Sequence, residues 1–396
     1  MGRRRFLMYF SYIGKQFSGL QRQVTRERKN QHDVTTVQGL LEYAIHRLHP
    51  ENEVHVVPSS RTDQGVHALR SAAHVDLDFK WNFDSDFLTH SLNCFFSQTG
   101  VDVRVLETIE VSPHFHSRHL PQWRQYLYRF AVLNNASLLR DSKTASRYVV
   151  PLPITEAFRC HFVYDPLWDV NIARKAIDIF VGTHDYTSFM ARSKGLPPNI
   201  KTERTVLSCE LSPGRPFLPC DVSKDWTFWN VRVRGKSFLY KMVRRMVSSL
   251  LAVGGKKMSK TDIRYLLENP SQDNWPNYIH TVPGYGLYLE NVYYDPKDYS
   301  IEAPVLSTSQ EGEDGDGDGI GEEDDEEHEK EEEEEEEIRE VSPGGLFFNL
   351  NITIEMHYLA FRVMGFLLSC FSLKGKSYDI CDQNFQRIFS NVAEKS

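Results

Sequence analysis

The sequence predicts an α+β fold in which a mostly antiparallel sheet is flanked by helices and built from split β-α-β units. Three stretches carry that expectation. Phe6 to Tyr12 alternates large apolar side chains, as a strand buried on at least one face does. Leu40, Leu41, Ala44, Ile45 and Leu48 recur at helical spacing behind Thr35-x-x-Gln38, a candidate capping box. Ala73 to Phe79 alternates apolar and polar residues over seven positions, the pattern of a half-buried strand. Strand, helix, strand and tight turn in this order make the first half of a split β-α-β domain.

Taken in order, the first strand runs into Gly14-Lys15-Gln16-Phe17-Ser18-Gly19-Leu20-Gln21-Arg22-Gln23, a glycine-punctuated loop with a Gln21 and Arg22 tip. Residues 26–30 are polar and basic and read as a mobile insertion. Val54 to Val57 is a short strand closed by Pro58, which cannot continue a central strand because it has no N–H. Next comes Ser59-Ser60-Arg61-Thr62-Asp63-Gln64-Gly65-Val66-His67-Ala68, a polar turn in which Gly65 supplies backbone freedom. It presents Arg61 and Asp63 at the rim of a sheet. A helix over Phe83 to Cys94 and a strand through Val101 to Val105 complete a first unit, residues 1–108.

A second unit spans 109–300. It opens on Pro113 to Arg118 and continues into Trp123-Arg124-Gln125-Tyr126-Leu127-Tyr128-Arg129-Phe130. In a strand Tyr126, Tyr128 and Phe130 share one face. Such a face is either core or a platform for bases, and arginines 118, 124 and 129 beside it support the second. A helix follows from Val170 to Phe180 and a strand from Trp226 to Val233. Phe238 to Met246 begins another helix, with Val243, Met246, Val247 and Leu250 at its buried spacing and Lys241, Arg244, Arg245 and Ser248 opposite.

Of 396 residues, those from 305 to 340 hold 20 acidic and 2 basic side chains, leaving 44 basic against 34 acidic in the rest. The formal charge of −8 therefore hides a basic body suited to a polyanionic partner. Residues 301–344 are a low-complexity acidic linker with little to bury, expected to be disordered. Residues 345–396 are apolar again, but Tyr358 to Phe371 is too short to span a bilayer, so no membrane segment is expected. The six cysteines are scattered, with no Cys-x-x-Cys, which speaks against structural zinc and a disulfide framework and suits a reducing compartment. His114, His116 and His119 lack an acidic or cysteine partner nearby, so no metal is expected. The arginines at 3, 4 and 5 leave a mitochondrial or a cytoplasmic location open.

Arg61-Thr62-Asp63-Gln64-Gly65-Val66-His67-Ala68 resembles the Arg-Thr-Asp-x-Gly-Val-His-Ala signature of the TruA-type tRNA pseudouridine synthases. Further blocks resemble that family in the expected order, to about residue 298: the Gln21-Arg22 loop, with Leu20 in place of an aromatic residue; Arg124-x-Tyr126-x-Tyr128; Gly182 to Phe189; Arg204-Thr205-Val206; Met242-Val243-Arg244; and Pro283 to Leu287. The resemblance implies two similar ferredoxin- or RRM-like subdomains sharing a continuous sheet, with the active-site cleft between them. It implies Asp63, Tyr126 and Arg244 as catalytic residues, and Arg61, Gln21, Arg22, Arg124, Tyr128, Pro283 and Leu287 as substrate-binding ones. It also implies a homodimer acting on tRNA, in the anticodon arm, without cofactor or metal.

The chemistry fits those residue types. Moving uracil from its N1 to its C5 attachment needs a carboxylate beside the sugar, as nucleophile or as base, and a cation to partner that carboxylate away from water. An aromatic ring then stacks on the extruded base, and an arginine such as Arg61 fills the gap it leaves. A tRNA-binding or RNA-chaperone protein on the same scaffold, without turnover, is the alternative.

Overall fold

A computed structural model describes residues 2–22, 33–134, 152–192 and 200–299. The expectations for residues 26–30, 301–344 and 345–396 lie outside the described residues. In chain order the strands are β1 (Arg4–Tyr12), β2 (Val56–Pro58), β3 (His67–Leu77), β4 (Val103–Val111), β5 (Trp123–Leu133), β6 (His161–Val163), β7 (Gly182–Asp185), β8 (Glu203–Pro213), β9 (Trp226–Gly235) and β10 (Leu287–Tyr293). The helices are α1 (Val37–His46), α2 (Ser85–Thr99), α3 (Val170–Ile177), α4 (Met242–Gly254) and α5 (Lys260–Glu268).

These strands form a single sheet with the order β4-β1-β3-β10-β5-β9-β8-β7, to which β2 adds on β3 and β6 on β5. Among the described residues all pairings are antiparallel except β10 with β3 and β5 with β6. The fold is thus α+β, with a large and mostly antiparallel open sheet flanked by helices. All described elements fall within one compact unit, Met1–Ala303.

The last strand is the centre of the sheet. β10 pairs in parallel with the start of β3 (Tyr288 with His67, Leu289 with Ala68) and antiparallel with β5 (Leu287 with Tyr128, Leu289 with Tyr126). Residues far apart in sequence therefore meet at one line across the sheet.

Local departures have physical causes. β3 buries Ala72 to Val75 consecutively and is not half-exposed. The 113–117 segment covers its second face, where the Ser117 hydroxyl and His74 Nδ1 lie 2.8 Å apart. The cap of α1 is Thr36, whose hydroxyl accepts from Gly39 N–H. Thr35 instead bonds Asp33, and the Gln38 side chain reaches Glu42 and the Val56 carbonyl, so the expected capping box does not form. α2 extends to Thr99, where Gly100 stops it in the left-handed conformation at φ 68°. β4 runs to Val111, past residue 108.

α4 begins at Met242, not Phe238, because Lys241 sits in the left-handed region at φ 57° and breaks the helical path. Its polar side is not a solvated face either. Ser248 is buried and its hydroxyl donates to the Arg244 carbonyl. The Arg245 guanidinium donates to the carbonyls of Ser188 (3.0 Å) and Met190 (2.8 Å) and lies over the Trp275 ring. Arg245 ties α4 to the turn after β7. Among the described residues no helix is long and apolar enough to cross a membrane.

Candidate active site

The loop joining β2 to β3 carries Asp63, and its backbone is gripped from several sides. Leu20 N–H donates to the Thr62 carbonyl (3.1 Å), and the Tyr12 and Thr62 hydroxyls bond each other at 2.7 Å. The turn closes through Val66 N–H to the Asp63 carbonyl (3.2 Å), around Gly65 at φ 76°. Gly284, just before β10, packs so near that a Cβ there would lie 2.7 Å from the Gln64 carbonyl oxygen. Only glycine admits that approach.

Arg244, in the first turn of α4, reaches back to this loop. Its Nη1 donates to Asp63 Oδ2 at 2.6 Å and its Nε to the Val282 carbonyl at 2.8 Å. The short charge-assisted bond partners the carboxylate, while the second bond fixes the plane of the guanidinium. The left-handed Lys241 sets the start of α4 and hence where Arg244 points.

A cleft of about 1010 Å³ opens in front of the pair. Its wall includes Arg22, Arg61, Arg118, Arg124, Arg204, Lys236, Lys241 and Arg244, and Asp63 is the one carboxylate among its described lining residues. That charge distribution suits a polyanion, and the volume admits an extruded nucleotide.

Seven more of the expected site residues divide into three groups. Gln21, Arg22 and Arg61 line the cleft, as does Leu287. Arg22 also pairs with Glu42 at 3.3 Å. Arg124 is on the wall but buried, and its guanidinium is committed to the loop. It donates to Ser60 Oγ (2.8 Å) and the carbonyls of Ser59 (2.7 Å), Arg118 (3.0 Å) and Lys236 (2.5 Å). Tyr128 and Pro283 are not on the wall: Tyr128 is fully buried behind it, donating to the Pro283 carbonyl at 2.9 Å and filling the space beside Gly286.

Tyr126 does face the cleft, with the edge of Phe238 against its ring at 5.2 Å. Burial raises the pKa of its phenol, against the opposing pull of Arg124 and Ser60. It is therefore a neutral phenol at neutral pH, fitted to stack and to hydrogen-bond rather than to act as a standing phenolate.

Two residues escaped the sequence reading. His67 closes the loop that carries Asp63: its Nδ1 accepts from Gly14 N–H (2.9 Å), and an N–H can only donate. The ring proton is therefore on Nε2, facing the carbonyls of Phe158 (2.9 Å) and Tyr285 (3.0 Å). Burial lowers the pKa of the ring and keeps this neutral form. The signal was its place inside the motif, which carries no hint of three distant partners. Arg204, met in the sequence only as part of the Arg204-Thr205-Val206 block, stands in the cleft wall. The three-histidine cluster keeps His116 and His119 rings 4.2 Å apart, and among the described residues no group of three His, Cys, Asp or Glu is placed to hold a metal ion.

A lone carboxylate clamped by an arginine, set in a cationic cleft across an open sheet, defines a carboxylate-centred enzyme for a polyanionic substrate. Comparison with known proteins narrows the class. A tRNA pseudouridine synthase family model matches residues 176–295, which include Arg244 and Leu287. The human tRNA pseudouridine synthase-like 1 is 34% identical over 298 residues, covering 74% of this chain and 90% of its own. Its mouse counterpart is 32% identical over 297 residues, 74% of this chain and 94% of its own. The tRNA pseudouridine synthase A of Bacillus pumilus is 30% identical over 291 residues, 72% of this chain and 97% of its own. The chain belongs to the TruA-type pseudouridine synthase family and is an isomerase.

Proposed function

We propose that this protein converts uridine in tRNA to pseudouridine with Asp63 as the reacting carboxylate. The observation that carries the reading is the 2.6 Å contact between Arg244 and Asp63, 181 residues apart in sequence, on the wall of a cationic cleft. Uracil N1 leaves the anomeric carbon of the ribose, the base turns, and carbon 5 bonds that carbon in its place. The proton displaced from carbon 5 is balanced by the one N1 gains. Asp63 assists either by bonding the anomeric carbon as N1 leaves and departing when carbon 5 attacks, or by taking the proton of the neighbouring ribose carbon and returning it once carbon 5 has bonded. Arg244 keeps its carboxylate in place, and Tyr126 stacks on the extruded base.

Arg61, Gln21, Arg22 and Leu287 would contact the nucleotide and its flanking phosphates, the arginines filling the space it vacates. Arg124, Tyr128 and Pro283 support the site, Arg124 through the Ser59 carbonyl and the Ser60 hydroxyl and Tyr128 through the Pro283 carbonyl ahead of β10. We further propose two split β-α-β halves meeting near residue 108, a homodimer, and an anticodon-arm target in mitochondrial or cytoplasmic tRNA.

The test is Asp63→Asn in the full chain, with unmodified tRNA. The variant should form no pseudouridine while binding tRNA within about twofold of wild type, since one neutralised carboxylate removes no phosphate contact. Normal turnover by the variant would sink the assignment. Wild-type protein that binds tRNA yet modifies none of a complete tRNA pool would favour the scaffold without turnover. Mapping pseudouridine in cells lacking the protein identifies the uridine and the compartment.

A further inference from the structure

We propose that the far end of α4 carries a second tRNA site, a lysine surface that binds phosphates of the same molecule whose uridine enters the cleft. This rests on tRNA being the substrate. The surface is a concavity of about 490 Å³ between α3, the C-terminal end of α4 and the start of α5. Lys175, Lys256, Lys257 and Lys260 stand around it, all exposed. Ile172, Val253 and Met258 supply apolar surface on which lysine stems can lie.

Three observations point to polynucleotide phosphate. First, among the described residues none of the four lysines has an ion pair, although Lys260 Nζ also donates to the Lys175 carbonyl at 2.8 Å. The one carboxylate in the concavity, Asp262, is engaged in capping α5: its Oδ2 accepts from Ser259 N–H (2.7 Å) and Oγ (2.8 Å). Second, the lining contains no aromatic residue and no arginine, so a base finds nothing to stack on and no fork to read it. Ammonium point charges recognise backbone phosphate without regard to sequence.

Third, the backbone holds lysine where glycine would be less strained. Two residues past the end of α4, Lys256 sits at φ 57°, its N–H on the Val253 carbonyl (3.0 Å) and the Lys257 N–H on the Ala252 carbonyl (2.8 Å). That is a helix C-terminus of the kind whose left-handed position normally takes glycine. The side chain of Lys256 thus stands at a position that carries a conformational penalty for any residue but glycine, and nothing pairs with it among the described residues.

α4 also sets a distance. Arg244 lies in its first turn and Lys256 two residues past its end, about 18 Å along the axis at 1.5 Å per residue. Phosphates held at this second surface would belong to a part of the tRNA well away from the reacting nucleotide, and the two sites together would set which uridine reaches Asp63.

The experiment compares full-length wild type, Lys256→Gly, and Lys256→Ala/Lys257→Ala/Lys260→Ala, by tRNA binding across a salt series and by steady-state turnover. For the triple variant the expected result is roughly tenfold weaker binding at physiological salt, and a slope of log affinity against log salt shallower by about two. KM should rise with kcat unchanged. Lys256→Gly should weaken binding while raising the thermal midpoint, a combination that a purely structural lysine does not produce. Binding and salt slope equal to wild type, or a fall in kcat with KM unchanged, overturns the proposal. If wild type itself does not bind tRNA, the substrate reading fails instead, and the two failures are distinct.

Discussion

Replacing Arg244 gives the most direct measure of what the site geometry contributes. The side chain makes two bonds, to Asp63 Oδ2 at 2.6 Å and to the Val282 carbonyl at 2.8 Å. A hydrogen bond to a charged group is worth about 1.5–3 kcal/mol. The two side chains are 13% and 24% exposed. The pair therefore falls between the surface case, near 0–1 kcal/mol, and the fully buried one, roughly 3–5 kcal/mol on truncation. A loss of about 2–3 kcal/mol in stability on Arg244→Ala follows. An equal loss of transition-state stabilisation, expected because the same bond places the reacting carboxylate, lowers kcat/KM roughly 30- to 150-fold at about 1.36 kcal/mol per factor of ten. Arg244→Lys keeps the charge, but its ammonium has no fork to hold Asp63 and Val282 in one plane, and a loss of about tenfold is expected. Single-turnover release of tritium from carbon 5 of labelled uridines reads the reaction directly, and the thermal midpoint of each variant is measured beside it. Arg244→Ala turning over within twofold of wild type, with an unchanged midpoint, would refute the claim that this guanidinium organises the carboxylate.

Three further outcomes test separate parts of the structure. Gly284→Ala places a methyl 2.7 Å from the Gln64 carbonyl, and displacing the loop should cost about 1–3 kcal/mol in stability or lower kcat while tRNA binding is kept; kinetics and melting together check it. Tyr126→Phe should leave the pH–rate profile unchanged at and below neutrality, because burial already holds the phenol neutral there, whereas Tyr126→Ala should lose about 1–3 kcal/mol of base stacking. His74 is buried, which brings its pKa down to about 4, against 6.5 in the unfolded chain. Its stabilising contribution is complete above pH 6.5 and is lost as pH falls toward 4, for a total of roughly 3 kcal/mol. Thermal midpoints of wild type and His74→Gln at pH 7 and pH 5 should therefore show the larger acid loss in wild type.

Legibility differed by the kind of information each residue carries. Strand periodicity in Phe6 to Tyr12 and the apolar spacing of α1 are local, and β1 and α1 stand close to where the pattern placed them. The start of α4 was misplaced because a left-handed Lys241 is invisible to a pattern that counts apolar positions. Its polar side is not solvated at Arg245, and no local pattern shows this, because its partners, the Ser188 and Met190 carbonyls, lie more than fifty residues away. The same limit governs the site. Asp63 and Arg244 were picked out by motif, but their contact depends on β10 entering between β3 and β5, a topological fact no window of sequence contains.

That insertion also explains why some expected contacts became supports. Tyr128 shares the sheet face of its partner Leu287, but the turn from Pro283 to Gly286 covers its ring, which packs beside Gly286 and donates to the Pro283 carbonyl. Arg124, two residues before Tyr126, donates to the Ser60 hydroxyl and the Ser59 carbonyl. His67, paired with Tyr288 across the parallel ladder, joins the loop of Asp63 to the entry of β10 through the Tyr285 carbonyl. The carboxylate is therefore positioned less by its own short loop than by the closure of the sheet around it. Residues packed against the loop, His67, Arg124 and Gly284 among them, set where Asp63 stands.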